Sequence, residues 1–90
     1  MEHDKAPRAS GVARHVCADG CQFLIEKGAL ARGESLSFAL DGHGVIRGRV
    51  QWVVRNRIGM AFDRALQRDT AVALAARGRV ARTIDLVTRG

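Results

Sequence analysis

Between Gly48 and Asp63 the chain reads GRVQWVVRNRIGMAFD, and its apolar residues alternate with polar or small ones. Val50, Trp52 and Val54 share one parity; Arg49, Gln51 and Arg55 take the other. After Asn56-Arg57 the alternation resumes, with Ile58, Met60 and Phe62 against Gly59, Ala61 and Asp63. Side chains of a strand point to opposite faces with period two, so this pattern predicts two half-buried strands joined by a tight turn. Asn56 suits the turn because asparagine tolerates positive φ. Trp52, the single tryptophan, is expected on the apolar face with Val50 and Val54.

The same reading gives three more strands. In SGVARHVC, Val12, Arg14 and Val16 alternate with Ala13, His15 and Cys17. A turn at Ala18-Asp19-Gly20 follows, then Cys21, Phe23 and Ile25 alternate with Gln22, Leu24 and Glu26. Lys27 to Gly33 reads as a loop in which Ala29, Leu30 and Ala31 form a small apolar plug. ESLSFAL is the cleanest strand, with Leu36, Phe38 and Leu40 on one side. DGHG (41–44) is a hairpin loop with His43 facing solvent, and a long strand runs from Val45 to Val54. Gly48 in its middle suggests a bulge or bend.

From Arg64 the pattern changes. ALQRDTAVALAAR is rich in helix formers and does not alternate, which predicts a helix at about 65–77 capped by Gly78. In RVARTIDLVTRG both helical and strand spacings fit, and the enrichment in Val, Thr and Ile favours a strand. The fold class expected is mainly β: a small antiparallel β-barrel with a C-terminal α-helix. Residues 1–10 are a flexible lead-in, 11–66 the barrel, and 67–90 the helix and tail.

Ninety residues make one domain, and 47% hydrophobic residues supply its core. No run approaches the ~20 apolar residues of a membrane helix. The opening MEHDKAPR has no apolar stretch of the signal-peptide kind, which points to the cytoplasm. Cys17 and Cys21 with His15 form H-x-C-x3-C, a spacing unlike the usual zinc patterns and without a second cysteine pair. Ordinary thiols are expected, with no metal and no cofactor. Thirteen arginines and two lysines against nine acids give a net charge of +6. Arginine forks suit phosphates, but these are scattered from Arg8 to Arg89 and the aromatics are too few for base stacking. Arg47 and Arg49, on the outer face of the long strand, read as solvated charge. The pattern therefore argues against nucleic acid as a partner. No nucleophile–base pair or glycine-rich phosphate loop appears, so no enzyme is expected.

The order of elements resembles the PilZ domain, a small bacterial β-barrel ending in a helix. HVCADGCQFLIEKGALARGESLSFAL is similar to the region where that family places D-x-S-x-x-G and a following G-[TDE]-x-L strand. GRVQWVVRNRIGMAFD resembles its G-x-V-x-W, turn, G-[VI]-x-F pair closely, and the likeness covers about residues 11–66. The resemblance implies a signalling module of the kind that binds cyclic di-GMP. In that family an R-x-x-x-R segment grips phosphates and guanine edges, D-x-S-x-x-G contacts a guanine, and the tryptophan can lie near the ligand. By motif position the contact residues here are Arg8, Arg14, His15, Cys17, Gly20 and Trp52.

The departures from the family matter. His15 stands at the aspartate position and Cys17 at the serine, leaving only Gly20 of that motif. Neutral histidine offers one acceptor where a carboxylate offers two oxygens, and a thiol is a weak hydrogen-bonding group. The R-x-x-x-R motif is missing, with Arg8 and Arg14 the candidate replacements. Weak or absent cyclic di-GMP binding is expected, with action through a partner protein or self-association. The family's additional first strand has no counterpart either, and a barrel short of one strand has open edges. Either residues 79–88 fold back over that edge, or another chain covers it.

Overall fold

The computed structural model describes residues 7–88, so most of the expected lead-in lies outside the described residues. Six strands and one helix follow in the order β1 (Ala9–Arg14), β2 (Gly20–Gly28), β3 (Ser35–Leu40), β4 (Gly44–Val54), β5 (Arg57–Phe62), α1 (Arg68–Arg79) and β6 (Ile84–Thr88). All neighbouring strands are antiparallel, and they close into a barrel in the order β1-β2-β5-β4-β3-β6. The protein is thus mainly β, a closed antiparallel barrel with one short helix near its C-terminus. None of its described helices is long and apolar enough to cross a membrane.

Alternation builds the interior. Leu36, Phe38 and Leu40 of β3, Cys21 and Phe23 of β2, and Ile58 and Met60 of β5 all turn inward and are buried. Phe23 and Phe38 meet edge to face, with ring centroids 5.5 Å apart and planes at 78°. That geometry sets the positive edge of one ring on the negative face of the other. From the loop after β2 only Leu30 is buried; Ala29 and Ala31 stay exposed, so the expected plug is a single leucine.

The tail segment supplies the sixth strand. Ile84, Asp85 and Leu86 pair with Gly11, Ser10 and Ala9 of β1, and Val87 and Thr88 pair with Ser37 and Leu36 of β3. Of the two arrangements the sequence allowed, fold-back of residues 79–88 is the one that closes the barrel. Ile84 and Leu86 enter the core almost completely, at 2% and 0% exposure.

Helix α1 starts three residues and ends two residues later than expected, and Gly78 does not cap it. A Cβ on Gly78 would stand 2.2 Å from the Ala13 carbonyl oxygen. Glycine is needed there because the helix backbone touches β1, and that contact outweighs its poor helix propensity. The helix continues to Arg79, and Ala81 takes the positive φ of 54° just beyond it. Asp69 in the first turn and Arg77 and Arg79 in the last complement the helix dipole. Leu74 is the helix's one fully buried side chain. His43 is not simply solvent-facing: its Nδ1 lies 3.0 Å from Thr70 Oγ1, tying the β3–β4 hairpin to the start of α1.

Trp52 is the principal correction. The register of β4 against β5 shifts between Val50 and Trp52, so Gln51 is an extra residue on β4. Such a bulge reverses the parity of everything after it. Val50 pairs with inward Met60, but Trp52 pairs with outward Gly59 and Val54 with Arg57. The tryptophan therefore leaves the core and lies on the outside of the barrel, its indole flat over Gly59. The bulge is at Gln51 rather than at Gly48. Gly48 is buried and serves close approach instead, a Cβ there standing 2.2 Å from the Ala61 carbonyl oxygen. In the hairpin turn Arg55, not Asn56, takes the positive φ of 56°.

Candidate functional site

The residues singled out by motif position lie mainly around the β1–β2 connection. The chain leaves β1 at Arg14 and turns at His15, whose φ is 51°. Histidine is among the side chains that tolerate this left-handed region. Backbone bonds then fix the loop on both sides. Cys17 N donates to Gly20 O at 2.9 Å, Phe62 N to Asp19 O at 2.9 Å, and Leu66 N to Ala18 O at 2.8 Å. Gly20 opens β2 against β5 so closely that a Cβ would stand 2.4 Å from Met60 O. Gly20 thus has a packing reason to be glycine.

His15, Cys17, Gly20 and Trp52 share one open depression of about 480 Å³ on the outside of the barrel. Gln22, Gln51 and Asp19 contribute its other polar groups, and Gly59 and Phe62 part of its floor. The exposed face of the indole offers a plane on which a flat ring can stack, and the two glutamines can donate and accept hydrogen bonds. Among the described residues no guanidinium lines it. Arg14 instead borders two neighbouring clefts, one of about 110 Å³ shared with Arg57 and one of about 260 Å³ shared with Arg79. Arg8 is elsewhere. It sits before the opposite end of β1, where its Nη1 is 3.1 Å from Glu34 Oε2. Of the six candidates the fold gathers four, places Arg14 beside them, and separates Arg8.

The cysteines are both free. Cys17 is exposed, and its Sγ donates to Gly20 O at 3.4 Å rather than to His15. Cys21 lies in the core. Burial, and next the neighbouring Cys17, pushes its thiol from 9.0 up to about 12, so it stays protonated and inert at neutral pH. Among the described residues no group of three or more His, Cys, Asp or Glu side chains gathers as a metal-binding set.

Sequence reasoning missed the outward direction of Trp52 and, with it, Val54, Arg57 and Gly59 as neighbours on one outer face. The available signal was weak: Val53 and Val54 are two successive apolar residues, which strict alternation does not allow. No protein-family model matches this chain, and neither does any curated protein or solved structure.

Proposed function

We propose that this protein is a degenerate PilZ-type module of bacterial cytoplasmic signalling. It is non-catalytic, acts by docking on a partner protein, and binds cyclic di-GMP weakly or not at all. The observation that carries this reading is the separation of Arg8 from the depression around Trp52. Arg8 is held by Glu34 at the far end of β1, while His15, Cys17 and Gly20 line a hollow to which, among the described residues, no guanidinium belongs. A ligand with two phosphates needs charged donors where its oxygens lie. Each missing charge-assisted hydrogen bond costs ~1.5–3 kcal/mol, so losing two or three weakens binding by about two decades or more. Closure of the barrel by β6 also supports action as a single chain, since no second copy is needed to complete the sheet.

Calorimetric titration with cyclic di-GMP, combined with amide NMR, tests the proposal. The expected result is no saturable heat and no shifts at residues 14–22 at ligand concentrations of about 100 µM, where a site with Kd of ~1 µM would saturate. Tight binding with shifts at His15, Gly20 and Trp52 would overturn it and favour a receptor that has recruited Arg14.

A further inference from the structure

The docking reading leaves open where a partner sits, and the outer face of four strands supplies an answer. Phe23, Ile58 and Met60 face inward, so their strand neighbours face out. The register then sets Trp52 on β4, Gly59 on β5, Gln22 on β2 and Arg14 on β1 in one lateral row. The next row holds Val54, Arg57, Leu24 and Val12. The solvated face of an antiparallel sheet ordinarily reads polar, yet half of these positions are apolar.

Val12 is already covered, but the others are not. Val54 is 59% exposed, and Trp52 and Leu24 are only partly buried, whereas Val53, paired with inward Ile58, belongs to the other face. Other exposed valines, Val72 in α1 and Val80 at its end, are not part of these strand rows, and single exposed apolar residues need no partner. Here Trp52 and Val54 adjoin along β4 and Leu24 lies across Arg57 from them, and apolar groups gathered on one outer face are the pattern of an interaction surface. Arg14, Arg55 and Arg57 border them, all exposed, and among the described residues none of the three pairs with a carboxylate. Among the described residues of the β1–β2 connection and β2, the acids are Asp19 and Glu26, at the two ends of the face.

These features select the occupant. A second copy would bring one basic face against another, and like charges in apposition cost several kcal/mol. A nucleic-acid strand gains nothing from exposed valines and finds one aromatic platform rather than a series. A protein segment with apolar anchors among acidic side chains uses every group present, and Trp and Arg are the residues most often dominant in such contacts. We infer that this face, centred on Trp52 and Val54 and bordered by Arg14, Arg55 and Arg57, is the docking surface for an acidic, amphipathic segment of a partner protein. The inference rests on the docking reading above and adds the place and the chemistry.

The test uses the whole chain, ¹⁵N-labelled, and three synthetic peptides. One alternates leucine with glutamate, the second replaces each glutamate by lysine, and the third replaces each leucine by serine. An oligothymidine and cyclic di-GMP complete the set. The leucine–glutamate peptide is expected to shift amides at 22–24 and 52–59, and the lysine and serine peptides to leave them unmoved. Trp52→Ser and Arg57→Glu, both changes on the outer face, should each weaken that binding about tenfold with the remaining spectrum intact. Absence of shifts with the first peptide, or equal shifts with the serine peptide, overturns the assignment. Tighter binding of the oligothymidine overturns it in favour of nucleic acid. Cyclic di-GMP binding at residues 14–22 would instead sink the earlier reading whatever the peptides do, so the two failures are distinguishable.

Discussion

Gly59→Ala places a single methyl group under the indole and tests the outward position of Trp52 directly. An ideal Cβ at Gly59 would be 2.2 Å from Trp52 Nε1 and 2.3 Å from Cε2, against ordinary contact at 3.4 Å. The ring must therefore rise by about 1.2 Å, the difference between 3.4 and 2.2. Because the indole is on the surface it can yield by rotating, at the cost of an off-rotamer side chain and a lost contact, together ~1–2 kcal/mol. At ~4–8 °C per kcal/mol for a domain of this size, the melting temperature should fall by about 5–15 °C. The chain has one tryptophan and no tyrosine, so its emission reports on this ring alone. The maximum should move to the red as the covered face of the ring meets water, while far-ultraviolet circular dichroism is preserved. Unchanged emission and unchanged melting would refute the seat on Gly59. Complete unfolding would refute the outward direction, because only an indole trapped in the core has nowhere to go.

Three other outcomes follow from the packing. Gly48→Ala should be worse than Gly59→Ala, ~3 kcal/mol or more by chemical denaturation, since its Cβ would meet the Ala61 carbonyl of a paired strand rather than a free ring. Equal mildness at the two glycines would contradict that distinction. Leu86→Ala should cost ~2–5 kcal/mol and speed amide exchange at Ser10 and Gly11 ahead of β4 and β5; exchange that rises uniformly would argue against a separable closing strand. Cys21 holds its proton up to about pH 12 when folded and releases it near 9.0 when unfolded. Its contribution to stability is therefore complete below about pH 9 and lost above it, at ~1.4 kcal/mol per pH unit, and Cys21→Ala should flatten that alkaline slope. Denaturation midpoints between pH 8 and 11 read this out, and an identical slope in the variant would show that another group is responsible.

The strands were legible wherever apolar residues alternate over an inward face, as in Leu36, Phe38 and Leu40. Local pattern also located the helix and the strand character of the tail. What escaped it depends on contacts between distant segments. The bulge at Gln51 has no glycine to announce it, and one extra residue was enough to move Trp52 from inside to outside. Gly78 looked like a helix stop because nothing nearby in sequence reveals the Ala13 carbonyl against it. Arg8 looked available until the fold brought Glu34 within 3.1 Å. The loop from His15 to Gly20 was singled out by motif position, but which arginines adjoin it was set by strand register alone.

The seam between β1 and β6 governs when this molecule can exist at all. Ala9 pairs with Leu86 and Gly11 with Ile84, so the first and last described strands complete each other. Contacts between such remote segments carry a high loop-closure entropy and tend to form late. While the chain is being synthesised, β1 and β3 have no partner on that side until Ile84 and Leu86 emerge. A stop codon or a protease cut just ahead of Ile84 would therefore leave an open half-cylinder with bare strand edges, inclined to aggregate rather than to work at reduced strength.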